Sequence, residues 1–126
     1  MERHSTTTSI HEHVGYDALK LNTTGTQSVA IGAYALDANT TGDYNTALGY
    51  NALSANSTGV DNTAVGKGAL ESNTGGGNNV AVGKACMDSN TTGSYNTAVG
   101  RNALEKTTTQ SYDYIIWSSD YEMGID

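Results

Sequence analysis

A unit of 17 residues recurs six times between Val14 and about Tyr114, and that period restricts the chain to a stacked, repetitive architecture. Val14, Ile31, Leu48, Val65, Val82 and Val99 open the copies, and a glycine follows each. The sixth position reads Leu19, Leu36, Leu53, Leu70, Met87 and Leu104. The ninth reads Asn22, Asn39, Asn56, Asn73 and Asn90, and the twelfth Gly25, Gly42, Gly59, Gly76 and Gly93. A helix-pair repeat needs about 33 residues or more, so this shorter unit suits one coil of a solenoid. The expected fold is all-β: a parallel β-solenoid, or β-roll, of about six coils, forming a rod about 3 nm long at a coil spacing of about 4.8 Å.

Within each unit the Asn-Thr-Ala-Val-Gly stretch reads as a strand: 45–49, 62–66, 79–83 and 96–100, with 28–32 as a variant. Alternation puts Thr46, Thr63, Val80 and Thr97 on the same face as the opening aliphatic residue. Asn, Ala and Gly fall on the other face. The Ala-Leu pair reads as a second short strand, and Asn-Thr-Thr-Gly as a turn in which Gly and Asn tolerate left-handed backbone. Identical Asn side chains one coil apart can hydrogen-bond in ladders. Each coil is expected to bury one Leu, one Val or Ile and a few Ala. That is a thin core, which favours association into a parallel homotrimer over a lone solenoid. The Ala-Gly face suits close packing, across the coil or against a neighbouring subunit.

The ends keep the same frame. His11-Glu12-His13-Val14-Gly15 is a degenerate first strand, and Asp113 to Trp117 repeats the frame with Trp117 in place of Gly. Thr107 stands in the Asn column and Gln110 in the Gly column, so the solenoid is expected to stop there with large aromatics over its last rung. The division that follows is an attachment segment over 1–10, the solenoid over 11–117 and an acidic tail over 118–126.

The net charge of −7 disfavours nucleic acid as a partner, because phosphate binding needs a basic face. Cys86 is the only cysteine and replaces the Ala of the fifth position, so it reads as a small buried thiol with no disulfide framework. The first residues carry no apolar signal core and no stretch is apolar enough to span a bilayer, so no secretory signal peptide and no membrane insertion are expected.

His11 and His13 are the sharpest candidate ligands. Residues two apart share a strand face, and a threefold axis would gather six imidazoles able to hold iron, nickel or zinc octahedrally. Lys67, Lys84 and Arg101 line the third position, and Glu71, Asp88 and Glu105 the seventh. Like charges stacked about 4.8 Å apart repel, so the two columns are expected to neutralise each other rather than to form an anionic-glycan site. The Thr-Thr turns raise an ice-binding reading, but their threonines are adjacent instead of two apart. Asn-x-Thr at 22, 39, 56 and 90 matches a glycosylation sequon and is read as turn chemistry. The aromatic and acidic end places Tyr112, Tyr114, Trp117 and Tyr121 as cap or tip contacts. No nucleophile–base arrangement, carboxylate pair or phosphate loop is present, so an enzyme is not expected.

Asn45-Thr46-Ala47-Leu48-Gly49 and Asn96-Thr97-Ala98-Val99-Gly100, each followed by an Ala-Leu pair, resemble repeats of bacteriophage fibre and tail proteins, notably aquatic ones. Ser28-Val29-Ala30-Ile31-Gly32 is similar to the head repeat of YadA-type trimeric autotransporter adhesins. The resemblance covers roughly residues 11 to 117. It implies a trimeric β-roll and a His-x-His metal site of the kind some trimeric phage fibres use. It also implies a virion fibre, spike or adhesin-like role, with other virion proteins and a host cell-surface glycan or protein as partners. The location expected is therefore a virion or, alternatively, extracellular. A self-assembling extracellular filament or adhesin subunit is the alternative, and an ice-binding solenoid the third.

Overall fold

The computed structural model describes residues 2–5 and 10–116. Each Thr/Val-Ala-aliphatic triplet forms a three-residue strand, and the triplet one period later lies beside it in parallel. Thr46 pairs with Thr63, Ala47 with Ala64 and Leu48 with Val65. The elements are β1 (Glu2–Ser5), β2 (Ile10–Val14), β3 (Val29–Ile31), β4 (Thr46–Leu48), β5 (Thr63–Val65), β6 (Val80–Val82), β7 (Thr97–Val99) and β8 (Tyr114–Ile116). They form one sheet in chain order, parallel from β2 to β8. The protein is thus an all-β parallel β-solenoid of about six coils, as the period predicts.

The second strand does not form. From Gly49 to Asn56 the chain instead makes three overlapping turns, closed by Ala52 N to Gly49 O, Ser54 N to Asn51 O and Asn56 N to Leu53 O at 3.1–3.3 Å. The first two have positive φ at their third residue, 59° at Asn51 and 53° at Leu53, the type II pattern. Left-handed backbone disfavours leucine by about 1–2 kcal/mol, yet the column repeats it at Leu36 (52°), Leu70 (52°) and Leu104 (51°). Burial of the side chain offsets this at about 1.5–3 kcal/mol. The Leu53 amide also pairs with Ala69 O of the next coil at 3.0 Å.

Two amide ladders run through the interior. In one, Asn39, Asn56, Asn73 and Asn90 each donate Nδ2 to the Oδ1 one coil back at 2.7–2.9 Å. In the other, Asn62 and Asn79 donate both backbone N and side-chain Nδ2 to the preceding Asn Oδ1, at 3.0–3.2 Å. Coil stacking is close enough to demand glycine. A Cβ on Gly49 would lie 2.6 Å from the Gly66 carbonyl, and one on Gly25 would lie 2.5 Å from Gly42 O.

Coil closure also explains the ends. In four successive coils three amides converge on one carbonyl of the next coil, as Ser57, Thr58 and Gly59 point at Thr74 O at 3.0–3.2 Å, and in the fifth Thr91 and Thr92 point at Thr108 O. The last such cluster has no coil beyond it among the described residues. There Thr108 and Thr109 donate to the Oε1 of Gln110, at 3.1 and 3.2 Å. The Gln110 side-chain oxygen thus takes the place that a carbonyl of the next coil holds elsewhere. Ile115, in the Ala column and 5% exposed, fills the interior at the same end. The covering aromatics expected there are placed otherwise: Tyr112 and Tyr114 are exposed, and Trp117 lies outside the described residues. At the opposite end β1 runs antiparallel to β2 and covers its edge, Glu2 opposite His13 and Ser5 opposite Ile10.

Candidate functional site

The pleat decides what the sheet presents. Ala30, Ala47, Ala64, Ala81 and Ala98 are 0% exposed and pack inside against the Leu column. The expected Val or Ile of the core is therefore on the outside. Val14, Ile31, Leu48, Val65, Val82, Val99 and Ile116 form one outward column beside a second of Val29, Thr46, Thr63, Val80, Thr97 and Tyr114. Leu48 is 43% exposed, Ile116 54% and Val80 36%. The inner coils set a methyl group opposite Leu, and the column takes larger side chains, His13 and Ile115, only in its first and last strands. The alternation agrees with the sequence, whereas the aliphatic residue expected in the core lies on the outer face. The signal that separates the two faces is the invariance of Ala against the variation among Val, Ile and Leu.

The two edges of this face differ. Tyr16, Tyr50, Lys67, Lys84 and Arg101 are exposed along the edge after the glycines. Gln27, Tyr44, Asp61, Asn78, Tyr95 and Tyr112 are exposed along the edge before the strands. Tyr95 and Tyr112 stack with ring centroids 5.1 Å apart and planes 6° from parallel. Lys67 Nζ lies 6.0 Å from the Tyr50 ring centroid, and Glu71 accepts a hydrogen bond from Asn51 Nδ2 at 3.1 Å. Burial raises the Asp88 carboxyl above its ordinary value; the Ser89 hydroxyl works against this, and Glu105 and Glu71 add to it.

His11 and His13 occupy the inward Asn and Ala columns of β2 and are 3% and 7% exposed. His11 Nε2 is 3.0 Å from Asn22 Nδ2, and the Ser28 amide donates to His11 Nδ1 at 3.3 Å. Both rings thus face the coil interior, opposite the aliphatic columns, and an axis along the outward face would not collect them. Among the described residues no group of three or more His, Cys, Asp or Glu is placed to hold a metal ion. Tyr112 and Tyr114 are 77% and 61% exposed, whereas Trp117 and Tyr121 lie outside the described residues. Cys86 is buried, with Sγ 3.2 Å from Ala98 O, and burial pushes its thiol up to about 12.

The turn threonines are engaged. Thr23, Thr40, Thr74 and Thr91 donate their hydroxyls to a carbonyl one coil on, at 2.8–3.2 Å. No helix of the described residues is long and apolar enough to cross a membrane. No protein-family model, characterised protein or solved structure matches the chain.

Proposed function

We propose that this chain is a non-enzymatic, self-associating structural module: a parallel homotrimer forming a short fibre or spike element of a phage virion. The observation that carries the reading is the outward aliphatic face, seven strands tall, on a chain whose interior is built mainly of small Ala, single Leu and Asn columns. Seven strands at about 4.8 Å, three residues wide at about 3.3 Å each, make a surface of roughly 30 by 10 Å. Contiguous apolar surface of this kind marks an interface. The occupant that fits is a second copy of the chain, because only a partner with the same coil spacing matches the columns rung for rung. A parallel threefold arrangement also brings the basic edge of one copy, Lys67, Lys84 and Arg101, to the tyrosines and Asp61 on the other edge of the next. That contact is heterologous and closes into a ring.

Both ends favour a closed particle over an open filament, since β1 covers one edge and Gln110 closes the last amide cluster. The virion assignment rests on the likeness of the repeats to phage fibre proteins. One end would then join other virion proteins, and the other would contact the host surface. Two experiments test the reading. Val65→Glu and Val82→Glu together place carboxylates on the outward face and are expected to give monomers that keep the β-type circular dichroism of the unsubstituted chain. Loss of the β signal together with association would instead put these side chains in the core. Antibody against the chain, followed by electron microscopy, is expected to decorate an appendage of the particle; decoration of cell-surface filaments alone would contradict the virion.

A further inference from the structure

The face next to the sheet carries one departure from the repeat. Position four of each unit is left-handed and reads Asp17, Asn51, Gly68, Ala85 and Asn102 in five coils, but Tyr34 in the second, with φ 61°. Left-handed backbone is general in this fold, shared by Tyr44, Tyr95 and Tyr112, so what sets Tyr34 apart is an aromatic ring at this position of the unit. Tyr34 meets Tyr50 edge to face at 5.9 Å and Tyr16 at 5.6 Å. Beside them opens a shallow depression of about 420 Å³ lined by Tyr34, Asp37, Tyr50, Asn51 and Ser54 together with two alanines. That volume is at the small end of ligand sites, which run to about 300–1,000 Å³.

We propose that this depression binds one pyranose ring of a neutral glycan. Tyrosine rings offer flat apolar faces to the C–H side of a sugar and hydroxyls to its rim. A carboxylate, an amide and a hydroxyl within one small site match vicinal sugar hydroxyls, which both donate and accept. Asn51 is held in orientation by its 3.1 Å bond to Glu71 Oε1. Burial raises the Asp37 carboxyl above its ordinary value against the backbone amides of Asp37 and Ala38, with Asp17 adding to the rise. A sugar hydroxyl would supply donors to this partly desolvated group. Charge selects the class: Asp37 is the one carboxylate in the lining, and it disfavours a uronic or sialic acid there. The site lies beside the aliphatic columns, and its Tyr50 belongs to the edge that borders the next copy in the proposed trimer.

The test uses the full chain and saturation-transfer NMR with methyl α-mannoside, methyl α-glucoside, methyl β-galactoside and N-acetylglucosamine, with methyl β-glucuronide as the anionic comparison. At least one neutral sugar is expected to receive saturation while the glucuronide does not. Affinity is expected to fall roughly tenfold in Tyr50→Ala and in Asp37→Asn, the scale of one lost aromatic or charged contact. Tyr95→Ala, on the far edge, is expected to leave it unchanged. Silence from every neutral sugar, equal transfer to the glucuronide, or undiminished binding in Tyr50→Ala overturns the site. Native mass measured on the same samples separates the two readings, since a trimer that ignores sugars removes only the site and a sugar-binding monomer removes only the trimer.

Discussion

Replacing Thr107 by Asn should extend the inner amide ladder by one rung. In that ladder each Asn uses one Nδ2 hydrogen for the Oδ1 one coil back and the other for the carbonyl three residues on, as Asn73 does at 2.8 and 3.0 Å. The donor pattern fixes which side-chain atom is oxygen. It leaves Asn90 Oδ1 buried and without a donor, because Thr107 has no amide to offer. An unsatisfied buried acceptor is unfavourable by about 1–3 kcal/mol. Against its relief stand the Thr107 hydroxyl bond to Leu104 O at 2.9 Å, about 0.5 kcal/mol on a half-buried side chain, and about 0.5 kcal/mol or more for ordering a longer side chain. The net expectation is about 1 kcal/mol of added stability, or roughly 3–5 °C in Tm for a domain of this size. Urea denaturation of four proteins reads it directly: the unsubstituted chain, Thr107→Asn, Asn90→Ala and the double variant. With Asn90 truncated the acceptor is gone while the opposing costs remain, so Thr107→Asn should then lose about 1 kcal/mol, a coupling of about 2 kcal/mol. Equal gains in both backgrounds would show that the benefit is local turn propensity and that the ladder reasoning is mistaken.

Three further expectations come from the same geometry. Gly59→Ala drives a methyl group into the Gly76 carbonyl and the Asn56 amide, so it should lower stability by about 3 kcal/mol or more; Gly75→Thr, where a Cβ meets only Thr58 Oγ1 at 3.4 Å, should add about 0.4–1 kcal/mol by restricting the unfolded chain. With its thiol raised to about 12, Cys86 should resist iodoacetamide in the native state at pH 9 and react at once in denaturant, and rapid native labelling would refute its burial. Asp88 has a raised folded value, so its carboxylate opposes folding at neutral pH, and this penalty fades as pH falls through the folded value towards 3.8. Asp88→Asn should therefore raise Tm at pH 7 and leave it unchanged near pH 3, whereas a gain that persists at pH 3 would point to another cause.

The period, the strand frame and the paired Asn ladders are legible in the residues because each is a column of near-identical side chains. Two features are not. Thr46-Ala47-Leu48 alternates with apolar groups on both faces, so periodicity locates the strand without saying that Ala points in; the interior width that decides it belongs to the whole coil. Leu53 alternates with Ala52 as a strand would, yet sits at φ 53° because the circuit must close within 17 residues. Gln110 reads as a lost glycine for a related reason: its side-chain oxygen stands where the next coil supplies a carbonyl elsewhere in the stack. The Tyr34–Tyr50 depression was hidden in a different way, since those residues occupy different positions of successive units and meet only across a coil boundary.

Sedimentation equilibrium of the full, unsubstituted chain tests the central claim most directly. The outward aliphatic face predicts a single species of three times the 13.1 kDa chain mass, stable to dilution into the low micromolar range. A monodisperse monomer at the same concentrations, with the solenoid intact by circular dichroism, would mean that this face is not covered by its own kind and would contradict the account.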